Sequence, residues 1–194
     1  QQGWWPDGYD HFTAALGALQ ALREQVAMDS GLILDPWMET YLLMQIATQQ
    51  APDVVERVGA LASVGQASVA AGQFSLQSRL QMRDLRGRIG DARAQLAKAG
   101  ASLQARLPSE LRNWGEQYDR TQQTLDSQLK ALDDGLFAGE IKLNGAAFEG
   151  SVDDMLQGLV QLRRQSLGSL DARLAYYHDQ AIARFIPVAA TFAL

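Results

Sequence analysis

The sequence predicts an all-α protein: an elongated antiparallel helical bundle of the four-helix type. Apolar residues recur at alternating three- and four-residue steps through most of the chain, the period that gathers them on one face of a helix. No stretch alternates with period two for long enough to build a sheet. With 47% hydrophobic residues and only 5 Pro in 194 residues, the chain can bury a core and is not composed like a disordered one.

Tyr9, Phe12, Leu16, Leu19 and Val26 mark a first helix that ends near Ser30 and Gly31. Asp35 is placed to cap the next, with Pro36 at its first position, because Asp accepts from orphan backbone N–H groups and Pro has none to waste. This second helix is expected over 37–71, with Leu43, Ile46, Val54, Val58, Leu61 and Val64 facing inward and a kink at Pro52. The third carries the clearest seam: Leu85, Ile89, Ala92, Leu96, Ala99 and Leu103. The pattern resumes at Leu111, Trp114, Tyr118, Thr121, Leu125, Leu129 and Leu132, so the long helix is either broken or bent near Leu107 and Pro108, and a bend is the preferred expectation. Residues 134–150, glycine-rich and without helical period, read as a long loop in spite of the alternation at Glu140, Ile141, Lys142 and Leu143. A capping box of Ser151 and Asp154 then opens the last helix, which carries Val152, Leu156, Leu159, Leu162, Leu170, Leu174 and Tyr177 inward. No internal repeat of 20–50 residues is visible.

The charge balance, 17 Lys+Arg against 22 Asp+Glu, gives -5 and argues against nucleic acid as the partner, since phosphate binding draws on clustered cations. With no Cys, disulfides, thiol nucleophiles and thiolate-bound zinc are excluded. The two histidines, His11 and His178, lie far apart, so no metal site is expected. Nucleotide-binding and nucleophile-elbow motifs are missing, and Gly87 and Gly90 sit within a helical pattern. The adjacent carboxylates Asp133 with Asp134 and Asp153 with Asp154 point about 100° apart on a helix, as caps and termini do. The chain reads as a binding protein and not an enzyme, with no cofactor.

Arg79, Arg83, Arg86 and Arg93 fall within an arc of roughly 80° on the third helix, beside its seam. Leu76 and Leu80 lie on the other side, nearly opposite Leu85. One reading has the second apolar face meet another protomer and the guanidinium groups receive a carboxylate ligand in bidentate fashion. The other has a solvated stripe paired with Asp84, Asp91 and glutamates of adjacent helices. Trp37, Met38, Tyr41 and Met44 crowd the start of the second helix as core residues do, while Tyr41 also has a hydroxyl to offer a ligand. The ligand-binding candidates are therefore Tyr41, Arg79, Arg83 and Arg86.

At Asp29, Ser30, Gly31, Leu32, Ile33, Leu34, Asp35 and Pro36, followed by Thr40, Tyr41, Leu42, Leu43 and Met44, the chain resembles a segment of extracytoplasmic helical sensor domains from bacterial transmembrane receptors, the methyl-accepting chemotaxis proteins and sensor histidine kinases. There the segment tends to read D-x-S-N-L-x-L-D-P, then S-Y-x-L-M. Gly31 stands here in the usual Asn position, Ser30 directly follows Asp29, and Trp37 and Met38 replace acidic residues; the apolar skeleton is kept. Phe148, Ser151, Leu156, Leu162, Leu167, Gly168, Ser169, Leu170, Asp171 and Leu174 look like the same family's final helix. The resemblance implies a ligand-sensing domain on the periplasmic face of the inner membrane, membrane-anchored and homodimeric, that takes a small organic acid or amino acid. It also implies that a transmembrane helix and a long helix precede the stretch holding Trp4 and Trp5, leaving an apolar groove for a second copy or a swapped segment. On this expectation residues 1–184 form the sensor domain and 185–194, apolar after the basic Arg184, open a transmembrane helix; the alternative is a docked C-terminal core segment with Pro187 ending the helix. An adaptor bundle that binds a partner protein without a small ligand is the competing expectation.

Overall fold

The computed structural model describes residues 37–70, 72, 75–105, 108–137 and 142–192, with scattered positions between His11 and Val26. Five helices account for nearly all of it: α1 (Met38–Gln45), α2 (Ala51–Ala70), α3 (Leu76–Gln104), α4 (Arg112–Leu132) and α5 (Gly145–Phe192). Among the described residues there is no strand. The all-α bundle expected from the periodicity is the observed fold. The first two helices join into one rod, which packs against α3 and α5, while α4 packs chiefly against α5.

The joint between α1 and α2 is a π-helical turn, Ile46–Gln50. Its cause is Pro52, which lacks an N–H and whose ring would strike the carbonyl four residues back. The turn resolves that conflict by widening: Ala51 donates its N–H to the carbonyl of Ile46. The Ala47 carbonyl then has no helical donor, and Arg163 Nε of α5 supplies one at 3.2 Å. The kink expected at Pro52 is thus a local change of winding, tied to the neighbouring helix.

Between α3 and α4 the expectation of one bent helix is overturned. Pro108 is extended, a 3-10 turn (Ser109–Leu111) follows, and the chain reverses. Gln104 donates to Asp119, Arg93 to Asp126 and Arg86 to Asp133, a pairing order that only antiparallel helices give. Each apolar seam needs a partner to bury it, and reversal lets the bundle bury both. Ile89, Ala92, Leu96, Ala99 and Leu103 are buried on α3, and Trp114, Tyr118, Thr121, Leu125, Leu129 and Leu132 on α4.

The connection from α4 to α5 is shorter than the loop expected over 134–150. A π turn (Asp133–Phe137) extends α4, and Lys142 donates its backbone N–H to the Gly135 carbonyl. Asn144 starts α5, its side chain accepting from the Ala147 N–H at 2.8 Å. Ser151 and Asp154 are therefore not a capping box. Ser151 is buried within α5, and Asp154 accepts from Gln128 of α4. Phe148 sets the start of α5 against α2 and α3, its ring so close to Gly65 that a Cβ there would stand 2.5 Å away.

Of the first expected helix, the described positions are helical, with Leu19, Leu22 and Val26 exposed. The expected cap at Asp35 and Pro36, the motif over 29–36, and Trp4 and Trp5 lie outside the described residues. The helix of α5 continues through Pro187 to Phe192. Among the described residues no helix is long and apolar enough to cross a membrane.

Candidate functional site

The four residues singled out as ligand candidates do not share a pocket. Arg83 and Arg86 lie near the α4–α5 connection: Arg83 donates to the Phe137 carbonyl at 3.3 Å and its guanidinium is 5.8 Å from that ring. Arg86 is bidentate to Asp133, its Nε and Nη2 at 2.9 and 2.7 Å from the two carboxylate oxygens. Arg93 is likewise engaged, with Gln122 and Asp126. Two of the stripe's arginines thus pair with α4 carboxylates, while Asp84 pairs with Arg88 on its own helix. Arg79 is half-buried one turn into α3. Tyr41 packs against the core at the opposite end of the rod. Gly65 marks the level of Met82 and hence of Arg83, so Tyr41 stands about 36 Å from these arginines at 1.5 Å per helical residue.

A different cluster joins the start of α1 to α5. Arg173 Nη2 donates to Glu39 Oε1 at 2.9 Å and to the Tyr177 hydroxyl at 2.7 Å. Tyr177 in turn donates its hydroxyl to the same Glu39 oxygen. The Trp37 ring stacks on Tyr177 with centroids 4.2 Å apart and planes 2° from parallel. The Arg173 guanidinium sits 4.8 Å from the ring centres of both Tyr176 and Tyr177. Helical spacing explains the α5 half, since positions 173 and 177 are one turn apart on one face.

The electrostatics agree with the geometry. Burial alone would raise the Glu39 carboxyl, but hydrogen bonds from Tyr177, the backbone and Arg173 outweigh it and hold it below its ordinary value. Burial, with donation to Glu39, pushes the Tyr177 phenol up. Burial would lower the Arg173 guanidinium, yet its bonds to Glu39 and Tyr177 raise it. The ion pair is largely removed from water, with 11% of the Arg173 and 20% of the Glu39 side chain exposed.

Arg173 also lines a second feature, an open groove of about 340 Å³ between the start of α4 and α5, into which Glu110, Gln165, Gly168, Ser169 and Tyr176 face. The Arg173 Nε is buried and has no hydrogen-bond acceptor. The sequence carried one legible sign of this cluster, an arginine and a tyrosine at four-residue spacing on the last helix. Its other half, Trp37 and Glu39, lies more than a hundred positions away, and nothing in a single sequence links them. Among the described residues no group of His, Asp and Glu is placed to hold a metal ion.

Comparisons with protein-family models, with curated proteins and with solved structures found no match to this chain.

Proposed function

We propose that this chain is the ligand-sensing extracytoplasmic domain of a bacterial transmembrane receptor, of the chemoreceptor or sensor-kinase type, homodimeric and anchored in the inner membrane. Binding of a small organic acid or amino acid would slide α5 against the α1–α2 rod by about 1–2 Å, and α5 would carry that shift toward the membrane. The observation that carries this reading is α5 itself. It spans 48 residues, packs against α1, α2 and α4, and runs on past Tyr177, where residues 178–184 are all exposed. A rod gripped by a bundle up to Tyr177 and exposed over 178–184 is suited to passing on displacement. The Glu39–Arg173–Tyr177 clasp grips it where it leaves the bundle, and a ligand that favours the clasped or the unclasped arrangement would shift α5 by its differential affinity.

The chain has no Cys, so Gln49→Cys and Asp171→Cys give two clean sites for spin labels on the rod and on α5. Adding L-alanine, L-glutamine, succinate or acetate should shift the distance between the labels for at least one probe. Binding by calorimetry with no change in distance for any probe would end the sensing role.

Exposed apolar side chains favour a second reading, an adaptor bundle that docks a partner protein. Leu76 is 76% and Leu80 58% exposed, one turn apart at the start of α3. That reading expects no small-molecule binding, and expects Leu76→Ser with Leu80→Ser to abolish association with the partner.

A further inference from the structure

The geometry points to the groove between the start of α4 and α5 as a binding site for a small amino carboxylate, held by Arg173 on one wall and Glu110 on the other. Arg173 spends Nη2 on Glu39 and Tyr177, and its Nε–H is buried without an acceptor. A buried donor left unpaired is costly, and a ligand carboxylate is a strong acceptor for the edge of a guanidinium. Tyr176 lines the same groove, lies 4.8 Å from the guanidinium and is 48% exposed, and a ligand would reach that edge by displacing its ring. Glu110, on the facing wall and exposed, would repel a simple anion but attract one that also carries an ammonium group. Gln165 and Ser169 add amide and hydroxyl groups between them. The volume of about 340 Å³ sits at the small end of the range for ligand pockets, about 300–1,000 Å³.

Occupancy would complete the hydrogen bonding of Arg173 in the rotamer that also holds Glu39, so the bound state favours the clasped bundle. That consequence for signalling rests on the sensing role proposed above; the binding does not.

The test is calorimetry on the whole chain with L-alanine, L-glutamine, acetate and ethylammonium as probes. L-Alanine or L-glutamine should bind more tightly than either single-charge probe. Arg173→Lys keeps the charge but removes the Nε edge, and should weaken that binding by about tenfold or more. Gly168 lines the groove and a Cβ there would meet no heavy atom within 4 Å, so Gly168→Leu sends a side chain out from the groove wall with no obstacle at its first atom, at a helical position where Leu is favoured over Gly. It too should weaken binding by about tenfold. Glu110→Gln should weaken the two amino acids and spare acetate. Failure of all four probes to bind at millimolar concentration overturns the site, as does binding that ignores Gly168→Leu. If Arg173→Lys fails to fold by circular dichroism, Gly168→Leu decides alone. Binding that obeys these variants without moving the labels at positions 49 and 171 keeps the site and sinks the sensing role. Label movement driven by a probe indifferent to Gly168→Leu sinks the site and keeps the role.

Discussion

At Gly100 the Tyr118 ring fills the space a side chain would need: a Cβ there would stand 2.1 Å from one ring carbon. The ring is fixed from several directions. Its hydroxyl donates to the Ala97 carbonyl at 3.2 Å, and it stacks on Trp114, whose indole N–H donates to buried Ser166 at 2.8 Å. Gly100→Ala should therefore lower stability to chemical denaturation by about 1–3 kcal/mol, the usual cost of overpacking. Gly59, where a Cβ meets nothing within 4 Å, is the control, and Gly59→Ala should raise stability by about 0.4–1 kcal/mol. Glu39 gives a second prediction at this scale. Burial opposes its charge, but bonds from Tyr177, the backbone and Arg173 hold the carboxyl below its ordinary 4.5. A carboxyl depressed on folding stabilises the folded state above its unfolded value, and that contribution is lost as pH falls through the folded value. The gap in melting temperature between the native chain and Glu39→Gln should be full at neutral pH and should close progressively below pH 4.5. A gap that stayed constant to low pH would show that the Glu39 charge does nothing for the clasp.

At the scale of elements, two arginines that look alike in sequence should differ in worth. Arg163 donates to the Ala47 carbonyl, which the π turn has stripped of its helical donor, and Ala47 is fully buried. Arg163→Met should cost about 1–3 kcal/mol, the range for leaving a buried acceptor unpaired. Arg93 pairs with an Asp126 side chain that is 61% exposed, so Arg93→Gln should cost less than about 1 kcal/mol and should lose even that at high salt. Equal losses in thermal unfolding would refute the role given to the π turn. The same contrast explains what the sequence could disclose. Every seam residue from Ile89 to Leu103 and from Leu111 to Leu132 was legible because helix period records burial directly. The reversal at Pro108 was not, since a proline that bends a helix and one that ends it leave the same local trace, and long-range pairings such as Arg93 with Asp126 separate them. Ser151 with Asp154 matched a cap by spacing, but Asn144 lies seven residues earlier, where the glycines at 145 and 150 had suggested a loop. The clasp escaped because its halves meet only after the chain has folded back from α1 to α5, and the arginine stripe drew notice because its residues are neighbours in sequence.

For the molecule as a whole, core burial and exposed length lie in different parts of one helix. At 1.5 Å per residue α5 is about 72 Å long, and the stretch after Tyr177 accounts for roughly 22 Å of it. Up to Tyr177 the helix contributes Phe148, Met155, Leu159, Leu162 and Leu170 to the core, all buried. Residues 178–184 are exposed throughout and add little apolar burial. Replacing Ile182, 46% exposed on that stretch, by Ser should therefore shift the melting midpoint by no more than about 2 °C, because less than about 1 kcal/mol is lost. Ending the chain at Gly168 removes buried Leu170 together with Arg173 and Tyr177, and should lower the midpoint by about 10 °C or more. Hydrogen exchange should draw the same line in the intact chain, with slow amides through position 170 and faster ones over 178–184. If Ile182→Ser instead cost as much as ending at Gly168, the stretch over 178–184 would be part of the folded core. It would then move only with the bundle, and a displacement of α5 against the α1–α2 rod would have no free lever to act through.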